Sequence, residues 1–529
     1  MNEANEFLDN FSSIKDQPDF WWRYSKFTKD IGNANIKKLV LNIPDVIIKI
    51  ENDGASSELY RHLLQACESN ISFGKEIYEE IIQSECERLL SLLHSIIAGV
   101  SKNDFNWAKE KVLFLLEESN SYKRKQAITS VGLFIFPKNG SKDFAETIDQ
   151  SFSEIINNEE SDEILASIIF ACRGQRKNLP NADRYILSLL QIDSSKVKIE
   201  LLNVITYNTK LDLEQEFYEK ILGSLVSLDL KFKLAYDRLA FNLKGHIANN
   251  LSTVKYFLEA WISYNKENAR NIKLLKPILN EIYKSKPDFF RKIITEWLNN
   301  DSNNYHIAIF ELMREMSYQN VTSLKLDSSL IQNYDFNDIE YISKKIIGYV
   351  FQHEISTSLL YSILENRYKE EKVVLFLEKI FIDYLIFNYY STIDFLKERR
   401  KEADVPLKKV ITILIEEGEG YYSAYKNLEI LKEFEPSESR LAYMNKIQNK
   451  KLNKSYDQNN EDRNSFLNML TPLHLRAGKT AFGKFEGEYS APMQPQLISH
   501  SAEMPRGEFI DPTGQALFRI KCKIFRRRQ

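Results

Sequence analysis

Glycine, proline and cysteine are all scarce in this sequence of 529 residues, and each scarcity argues against a class of structure. The 17 glycines and 13 prolines are too few for a loop-rich chain and favour long helices joined by short turns. The cysteines are widely separated, and none belongs to a CxxC pair. Their spacing argues against a disulfide framework or a thiolate zinc site and favours a reducing compartment. They are Cys67, Cys86, Cys172 and Cys522.

Signals for secretion and for membrane insertion are also missing. The first residues, "MNEANEFLDNFSS", are acidic and polar, so no secretory signal is expected. The most apolar stretch, "VVLFLEKIFIDYLIFNYY" at 373–390, is interrupted by Glu378, Lys379 and Asp383. A charge at the centre of a bilayer costs about 2.5–3.5 kcal/mol. We therefore expect a helix buried within protein, no membrane contact and a cytoplasmic location.

Motifs of common enzyme classes do not occur. Neither the phosphate-binding pattern GxxxxGK[ST] nor the serine pattern GxSxG is present. None of the seven histidines belongs to an HExxH or HxH pattern, so no metal and no cofactor are predicted. One enzyme hypothesis remains, a general acid–base site near the C-terminus. It would use His474 and His500, with Arg476, Glu503 and Asp511 nearby.

Helical periodicity dominates the chain from about residue 5 to residue 445, and convincing strand patterns do not appear before residue 478. Polar caps precede apolar runs at Asp104, Ser194 and Asp335. The aromatic run "DFWWRYSKFTK" at 19–29 contains basic residues, but its helical spacing favours a core stripe, made by Phe20, Tyr24 and Phe27. A second predicted apolar face carries Val254, Phe257, Leu258, Trp261 and Ile262.

A repeat is visible in the first half of the chain. The stretch "RKQAITSVG" at 124–132 has the form R-x-x-A-x-x-[small]-[aliphatic]-G, and similar stretches follow at 162–174, 196–205 and 231–243. Aligning Ala127, Ser167, Leu201 and Ala235 gives steps of 40, 34 and 34 residues. Over residues 85–300 the chain thus resembles HEAT/armadillo-type α-solenoids, whose period is ~40–47 residues. The resemblance implies a right-handed superhelix in which each helix pair buries its apolar face on the next pair.

These patterns predict an all-α fold, a HEAT-like α-solenoid followed by a helical C-terminal half and a small basic tail that is irregular or contains β-structure. The linker prediction rests on a polar stretch with almost no apolar residues. The predicted segments are a HEAT-like repeat region at 1–330, a helical half at 331–445, a flexible polar linker at 446–465, and a tail at 466–529 that is rich in Pro and Gly and contains short extended segments.

The tail is basic while the rest of the chain is acidic. Residues 466–529 carry ten Lys or Arg and five Asp or Glu, a net charge of +5, which leaves −8 for residues 1–465. Apolar and basic residues alternate at 518–524, which favours a strand with Phe518, Ile520, Cys522 and Ile524 on one side. The competing interpretation is a helix with Asp511 as its cap and Pro512 in its first turn, burying Leu517, Ile520 and Ile524.

Three interpretations of the basic tail follow. The tail folds back onto an acidic groove of its own chain, binds a protein partner, or binds nucleic-acid phosphates. We favour a non-catalytic interaction scaffold whose repeat surface and tail bind a macromolecular partner, with a protein as the preferred partner. The alternative is a nucleic-acid-associated accessory protein. The residues predicted to make these contacts are Arg519, Lys521, Lys523, Arg526, Arg527 and Arg528.

Overall fold

The computed structural model places most of the chain in two compact units. The described residues are 3–51, 55–137, 141–158, 161–207, 213–317, 321–428, 437–460, 484–485, 488–489 and 503–527. The first unit comprises residues 1–330 with 349–352, and the second comprises 331–348 with 353–529. Both units are helical, which confirms the predicted all-α class.

The helices are short to medium in length and follow one another closely. Those before residue 175 are α1 Glu3–Ile14, α2 Phe20–Asp30, α3 Ile36–Ile50, α4 Ser56–Ser69, α5 Ile71–Ile82, α6 Glu87–Leu90, α7 Leu93–Ser101, α8 Phe105–Glu117, α9 Ser121–Leu133, α10 Lys142–Asn157 and α11 Asp162–Gly174. Those from there to residue 333 are α12 Ala182–Ser188, α13 Ser195–Tyr207, α14 Gln215–Ser224, α15 Lys233–His246, α16 Leu251–Tyr264, α17 Lys266–Arg270, α18 Lys276–Ser285, α19 Pro287–Leu298, α20 Asn303–Ser317 and α21 Ser328–Asn333.

The remaining α-helices belong almost entirely to the second unit. The helices are α22 Phe336–Tyr349, α23 His353–Arg367, α24 Glu371–Ile380, α25 Ser391–Glu402, α26 Val405–Lys426, α27 Glu438–Asn460, α28 Arg506–Ile510 and α29 Pro512–Ile524. A π-helical turn at Phe381–Ile386 continues α24. Short 3-10 turns occur at Ile31–Asn33, Leu189–Gln191, Leu225–Ser227 and Ile272–Leu275. Two antiparallel strands, β1 Lys484–Phe485 and β2 Glu488–Tyr489, pair Lys484 with Tyr489 and Phe485 with Glu488.

The predicted caps and apolar faces account for where many helices form. The Asp104 carboxylate accepts a hydrogen bond from the Trp107 N–H at 3.1 Å, and Asp335 accepts from the Asp338 N–H at 2.8 Å. Helix α13 begins directly after Ser194. The faces predicted in α2 and α16 are buried. Local sequence signals therefore place these elements correctly.

The four stretches aligned as a repeat lie on helices that are neighbours in space. Helix α9 packs on α11, α11 on α13, and α13 on α15, so these four helices form a row within the first unit, here called the α9–α15 row. The aligned residues Ala127, Ser167, Leu201 and Ala235 are all buried. Each helix in the row therefore covers part of the apolar face of the next.

A contact between glycines sets how closely α9 and α11 approach. A Cβ atom added to Gly174 would lie 2.1 Å from the carbonyl oxygen of Gly132, far inside the closest distance that atoms tolerate. The Gln175 side chain at the same place donates a hydrogen bond to the Phe134 carbonyl oxygen at 2.8 Å. A Cβ atom on Gly132, the final Gly of the repeat motif, would lie 2.8 Å from the Phe170 ring and 3.0 Å from the Ala171 Cα, so the close approach of the two helices restricts both positions to glycine.

The apolar stretch at 373–390 is a protein-buried helix, as predicted. Val373, Leu377 and Phe381 are buried, whereas Lys379 and Asp383 are exposed on the other side. Within the described ranges, no helix combines the length and apolarity needed to cross a bilayer.

The strand predicted at 518–524 is wrong, because these residues belong to helix α29. The Asp511 carboxylate accepts a hydrogen bond from the Gly514 N–H at 2.8 Å, and Pro512 occupies the first turn. The helical alternative named the correct cap but the wrong buried face. Leu517, Ile520 and Ile524 are exposed by 50%, 50% and 69%.

A helix also replaces much of the flexible linker expected at 446–465. Helix α27 extends to Asn460, while 461–465 lie outside the described residues. The first part of the segment, "KIQNKKLNK", contains four Lys, one Gln and one Leu, residues that have good intrinsic helix propensity. A sequence with little apolar content can therefore still form a solvent-exposed helix.

Replacement of Gly174 by alanine should destabilise the first unit. The new methyl group would force α9 and α11 apart, and overpacking of this kind costs about 1–3 kcal/mol. Thermal or urea unfolding followed by circular dichroism would measure the change. Gly245→Ala is the matched control, because a Cβ there meets no atom within 4 Å. Equal stability of the two variants would contradict this account of the glycine contact.

Candidate partner-binding surface

Residues 503–527, here called the C-terminal segment, pack against helices of the second unit. The anchor is Asn388, whose side chain is buried at 3% exposure. Its Oδ1 accepts a hydrogen bond from the Gly507 N–H at 2.6 Å, and its Nδ2 donates to the Tyr384 carbonyl oxygen at 2.7 Å. The Gln515 Oε1 lies 3.4 Å from the same Nδ2. One amide therefore joins α28 and α29 to the body of the unit.

The π-helical turn aims a tyrosine at the C-terminal segment. Tyr384 lies within Phe381–Ile386, and its hydroxyl accepts a hydrogen bond from Arg519 Nε at 2.9 Å. The Phe518 ring lies 5.3 Å from the Tyr384 ring. Burial raises the pKa of Tyr384, which the nearby Arg519 opposes. Because π-helical turns often occur where a helix is adapted to a function, this turn makes the second unit a candidate for the functional surface.

Glu503 fixes the beginning of the C-terminal segment. Its two carboxylate oxygens accept from the Ser391 N–H at 3.2 and 3.3 Å. Its Oε2 lies 3.5 Å from His353 Nε2, and the His353 ring stacks on Tyr389 with centroids 4.2 Å apart. Ser391 begins α25, so the carboxylate also lies where the helix dipole favours negative charge.

Arg506 lies among three tyrosines of α26. Its guanidinium carbon is 3.9 Å from the ring centroid of Tyr425, 4.7 Å from that of Tyr422 and 5.8 Å from that of Tyr421. Cations over aromatic faces gain roughly 0.5–2 kcal/mol. Aromatic rings, rather than carboxylates, therefore receive this basic residue.

The end of α29 is held by α22. The buried Lys345 ammonium, 5% exposed, donates to the Lys523 carbonyl oxygen at 2.6 Å. A cation at this position complements the negative end of the α29 dipole. Arg527 Nε lies 3.0 Å from the Asp338 carboxylate, and Lys344 Nζ lies 3.5 Å from the centroid of the Phe525 ring. The C-terminal segment is thus attached at both ends.

The structure divides the predicted basic residues into two groups. The side chains of Arg519 and Arg527 make the internal contacts described above. Lys523 is half-buried and contributes its carbonyl oxygen, and burial together with the charge of Arg519 lowers the pKa of its ammonium group. Lys521 and Arg526 are exposed, and Arg528 lies outside the described residues. The segment folds back on its own chain, but its receiving surface is mostly aromatic and amide rather than acidic.

The residues of the enzyme hypothesis do not form a site in the part of the chain that is described. Glu503 contacts Ser391 and His353, and Asp511 caps α29. His474, His500 and Arg476 lie outside the described residues. Among the described residues, no group of His, Cys, Asp and Glu is arranged to hold a metal ion.

Helix α29 turns its polar side inward and its apolar side outward, a feature that the sequence interpretation missed. At 100° per residue, Gln515, Arg519 and Cys522 share one face, and Cys522 is buried at 3% exposure. Leu517 and Ile524 lie on the opposite face and are among the exposed apolar residues. We call the exposed side, formed by Leu517, Ile520, Lys521 and Ile524, the outward face. The arrangement is the reverse of an ordinary surface helix.

A polar surface also lies on the first unit, across helices α9, α11 and α13 of the α9–α15 row. Lys125 Nζ lies 2.8 Å from a Glu163 carboxylate oxygen, and Lys196 bonds the other oxygen of the same carboxylate. Hydrogen bonds from Lys125 and Lys196 lower the pKa of Glu163 from 4.5 to about 2. The three residues line an open groove of about 330 Å³. One carboxylate therefore connects α9, α11 and α13.

Removal of the Asn388 amide should release the C-terminal segment. Asn388→Ala leaves the buried Gly507 N–H without its acceptor, a loss of about 1–3 kcal/mol. Hydrogen–deuterium exchange of residues 503–527 should therefore become faster while the rest of the second unit is unchanged. Asn366→Ala is the control, because Asn366 makes the same bond to the carbonyl four residues earlier, at 2.7 Å, within α23. Unchanged exchange of the segment in Asn388→Ala would refute the anchor.

The Glu163 contacts should make the stability of the first unit depend on acid pH. Because the folded pKa lies below the ordinary value of 4.5, the contribution is complete above pH 4.5 and is lost as the pH falls toward 2. Glu163→Gln should lower stability at pH 7 by on the order of 1 kcal/mol, since solvent screens this half-exposed group. Between pH 5 and pH 2 the Glu163→Gln variant should therefore lose less stability than the wild type.

Urea unfolding at several pH values would measure the effect, with Glu80→Gln on the exposed side of α5 as the control. Parallel stability curves for wild type and Glu163→Gln across this range would contradict the role given to the carboxylate.

No protein-family model matches the sequence, and no curated protein matches it either.

Proposed function

We propose that this chain is a non-catalytic interaction scaffold that presents the outward face of α29 to a protein partner. The observation that supports the proposal is the reversed polarity of α29. Leu517, Ile520 and Ile524 are at least half exposed although the helix is anchored on its other side. Burial of apolar surface is worth about 25 cal/mol per Å², and an anchored apolar stripe gains this energy only when something covers it.

The anchoring makes the face suitable for recognition. Contacts from Asn388, Tyr384 and Lys345 hold the inner side of α29 along its length. A partner would therefore bind a helix that is already ordered and would lose little conformational entropy on binding. Arg519 was expected to contact the partner directly. In this proposal it positions α29, and the outward face of α29 makes the contact.

The first unit adds a second recognition surface to the proposal. The α9–α15 row supports the HEAT-like solenoid that the repeat motif implies, because aligned residues occupy equivalent buried positions on successive helices. In a right-handed superhelix of this kind the second helices would line a long concave surface suited to a protein. The groove at Lys125, Glu163 and Lys196 would lie on it.

Nucleic-acid binding remains the alternative function, and the contacts of the basic residues weigh against it. Arg519 and Arg527 bind Tyr384 and Asp338, so Lys521 and Arg526 are the exposed members of the predicted set in the described segment. Two phosphate contacts would give a shallow salt dependence, with a slope near −2 in log–log form on duplex DNA.

The proposal predicts that host proteins bind through the outward face. Tagged full-length protein should capture specific proteins from a lysate of its own organism, and Leu517→Asp should lose them because it places a charge in the apolar stripe. Quantitative mass spectrometry with nuclease-treated lysate would measure the loss.

Leu375→Asp is the matched control, since Leu375 is 58% exposed on α24 of the same unit. Circular dichroism would show that both variants are folded. An identical set of captured proteins for wild type and Leu517→Asp, or capture that nuclease abolishes, would contradict the proposal.

A further inference from the structure

We infer that the outward face of α29 binds an acidic amphipathic helix of its protein partner. The inference rests on the proposed function and adds the chemistry of the partner. It follows from the spacing of the exposed apolar residues, from the sign of the charge among them, and from the poor fit of two other occupants.

The spacing of the apolar residues suits a helix. Leu517, Ile520 and Ile524 are separated by three and four positions and form a stripe along α29 that is about 10 Å long, at 1.5 Å per residue. A stripe with this spacing packs against the corresponding ridge of a second helix. A partner helix of two to three turns would cover it.

The outward face carries positive charge and no negative charge. Around the helix, Lys521 lies between Leu517 and Phe518, so its ammonium is flanked by apolar side chains on both sides. Between Pro512 and Ile524 there is no acidic residue, and the exposed Arg526 follows. A partner that covers the stripe must bring an acceptor to Lys521, because a buried ammonium without a partner is costly. A carboxylate on the partner helix supplies it.

A second copy of the chain fits this face less well. A symmetric pair of α29 helices contacts the same patch on both copies. The middle of the 517–524 stripe is at Ile520 and Lys521, so a two-fold axis there would bring the two Lys521 ammonium groups together. Like charges at such a position are destabilising.

A lipid surface also fits less well than an acidic helix. Helices that lie on membranes keep their lysines on the polar side, away from the apolar face. Here Lys521 interrupts the apolar face between Leu517 and Phe518, and the side opposite is docked on the protein. Insertion of the stripe would therefore draw the ammonium toward the acyl chains.

A selection experiment with helical peptides tests the inference. The full-length protein would be used to select binders from a displayed library of helical peptides with randomised outer positions. Acidic residues should be enriched beside an apolar i, i+3, i+7 stripe, and selection with Lys521→Glu should enrich basic residues instead. For one recovered peptide, Lys521→Glu should weaken binding on the order of fivefold, and a Glu→Lys exchange in the peptide should restore it.

The possible outcomes separate this inference from the proposed function. Recovered peptides that require Leu517 but show no acidic preference, and whose binding is unchanged by Lys521→Glu, would overturn the inference of an acidic partner helix. The proposal that the outward face binds a protein would still hold. Peptides that bind Leu517→Asp as well as wild type, or no recovered peptides, would overturn both.

Two further measurements address the other occupants. Sedimentation velocity would reveal a dimer that Leu517→Asp abolishes, and flotation with phosphatidylserine-containing vesicles would reveal lipid binding that depends on the same residue. Either result would replace the acidic helix with that occupant and overturn the inference.

Discussion

A single buried amide determines how the end of this chain is arranged. Asn388 uses one oxygen and one nitrogen to satisfy the Gly507 N–H, the Tyr384 carbonyl and the Gln515 side chain. The position opposite must be glycine, because a Cβ at Gly507 would lie 2.5 Å from the Asn388 Oδ1. In a low-dielectric interior such bonds are strong when made and costly when missing. The amide therefore specifies one register for α28 and α29.

The inward position of Arg519 follows from this register. A guanidinium is acceptable on a buried face only where hydrogen-bond acceptors and aromatic rings replace water. The Tyr384 hydroxyl supplies the acceptor at 2.9 Å. Once Arg519 and Cys522 face the body, helical geometry leaves Leu517 and Ile524 facing solvent. The exposed apolar stripe is thus a consequence of an internal polar contact.

The sequence was sufficient where structure is local. The caps Asp104 and Asp335, the buried faces of α2 and α16, and the all-α class follow from short-range patterns. The alternation of apolar and basic residues at 518–524 wrongly indicated a strand, because seven residues are too few to distinguish a strand from a helix whose buried face carries a charge. The cap at Asp511 was the better signal there. No local pattern indicates that Asn388 and Gly507, 119 residues apart, are bonded.

The burial of Cys522 gives the molecule a built-in chemical reporter. Cys522 lies on the inner face of α29 and is 3% exposed, and burial raises the pKa of its thiol to about 11, so little thiolate is present at neutral pH. Alkylating reagents attack the thiolate and would reach it only during moments when α29 lifts away. Cys67 and Cys172 are fully buried in the first unit and would be modified only when that unit opens. The alkylation rate of Cys522 therefore reports the opening of α29, and the alkylation rates of Cys67 and Cys172 report the unfolding of the first unit.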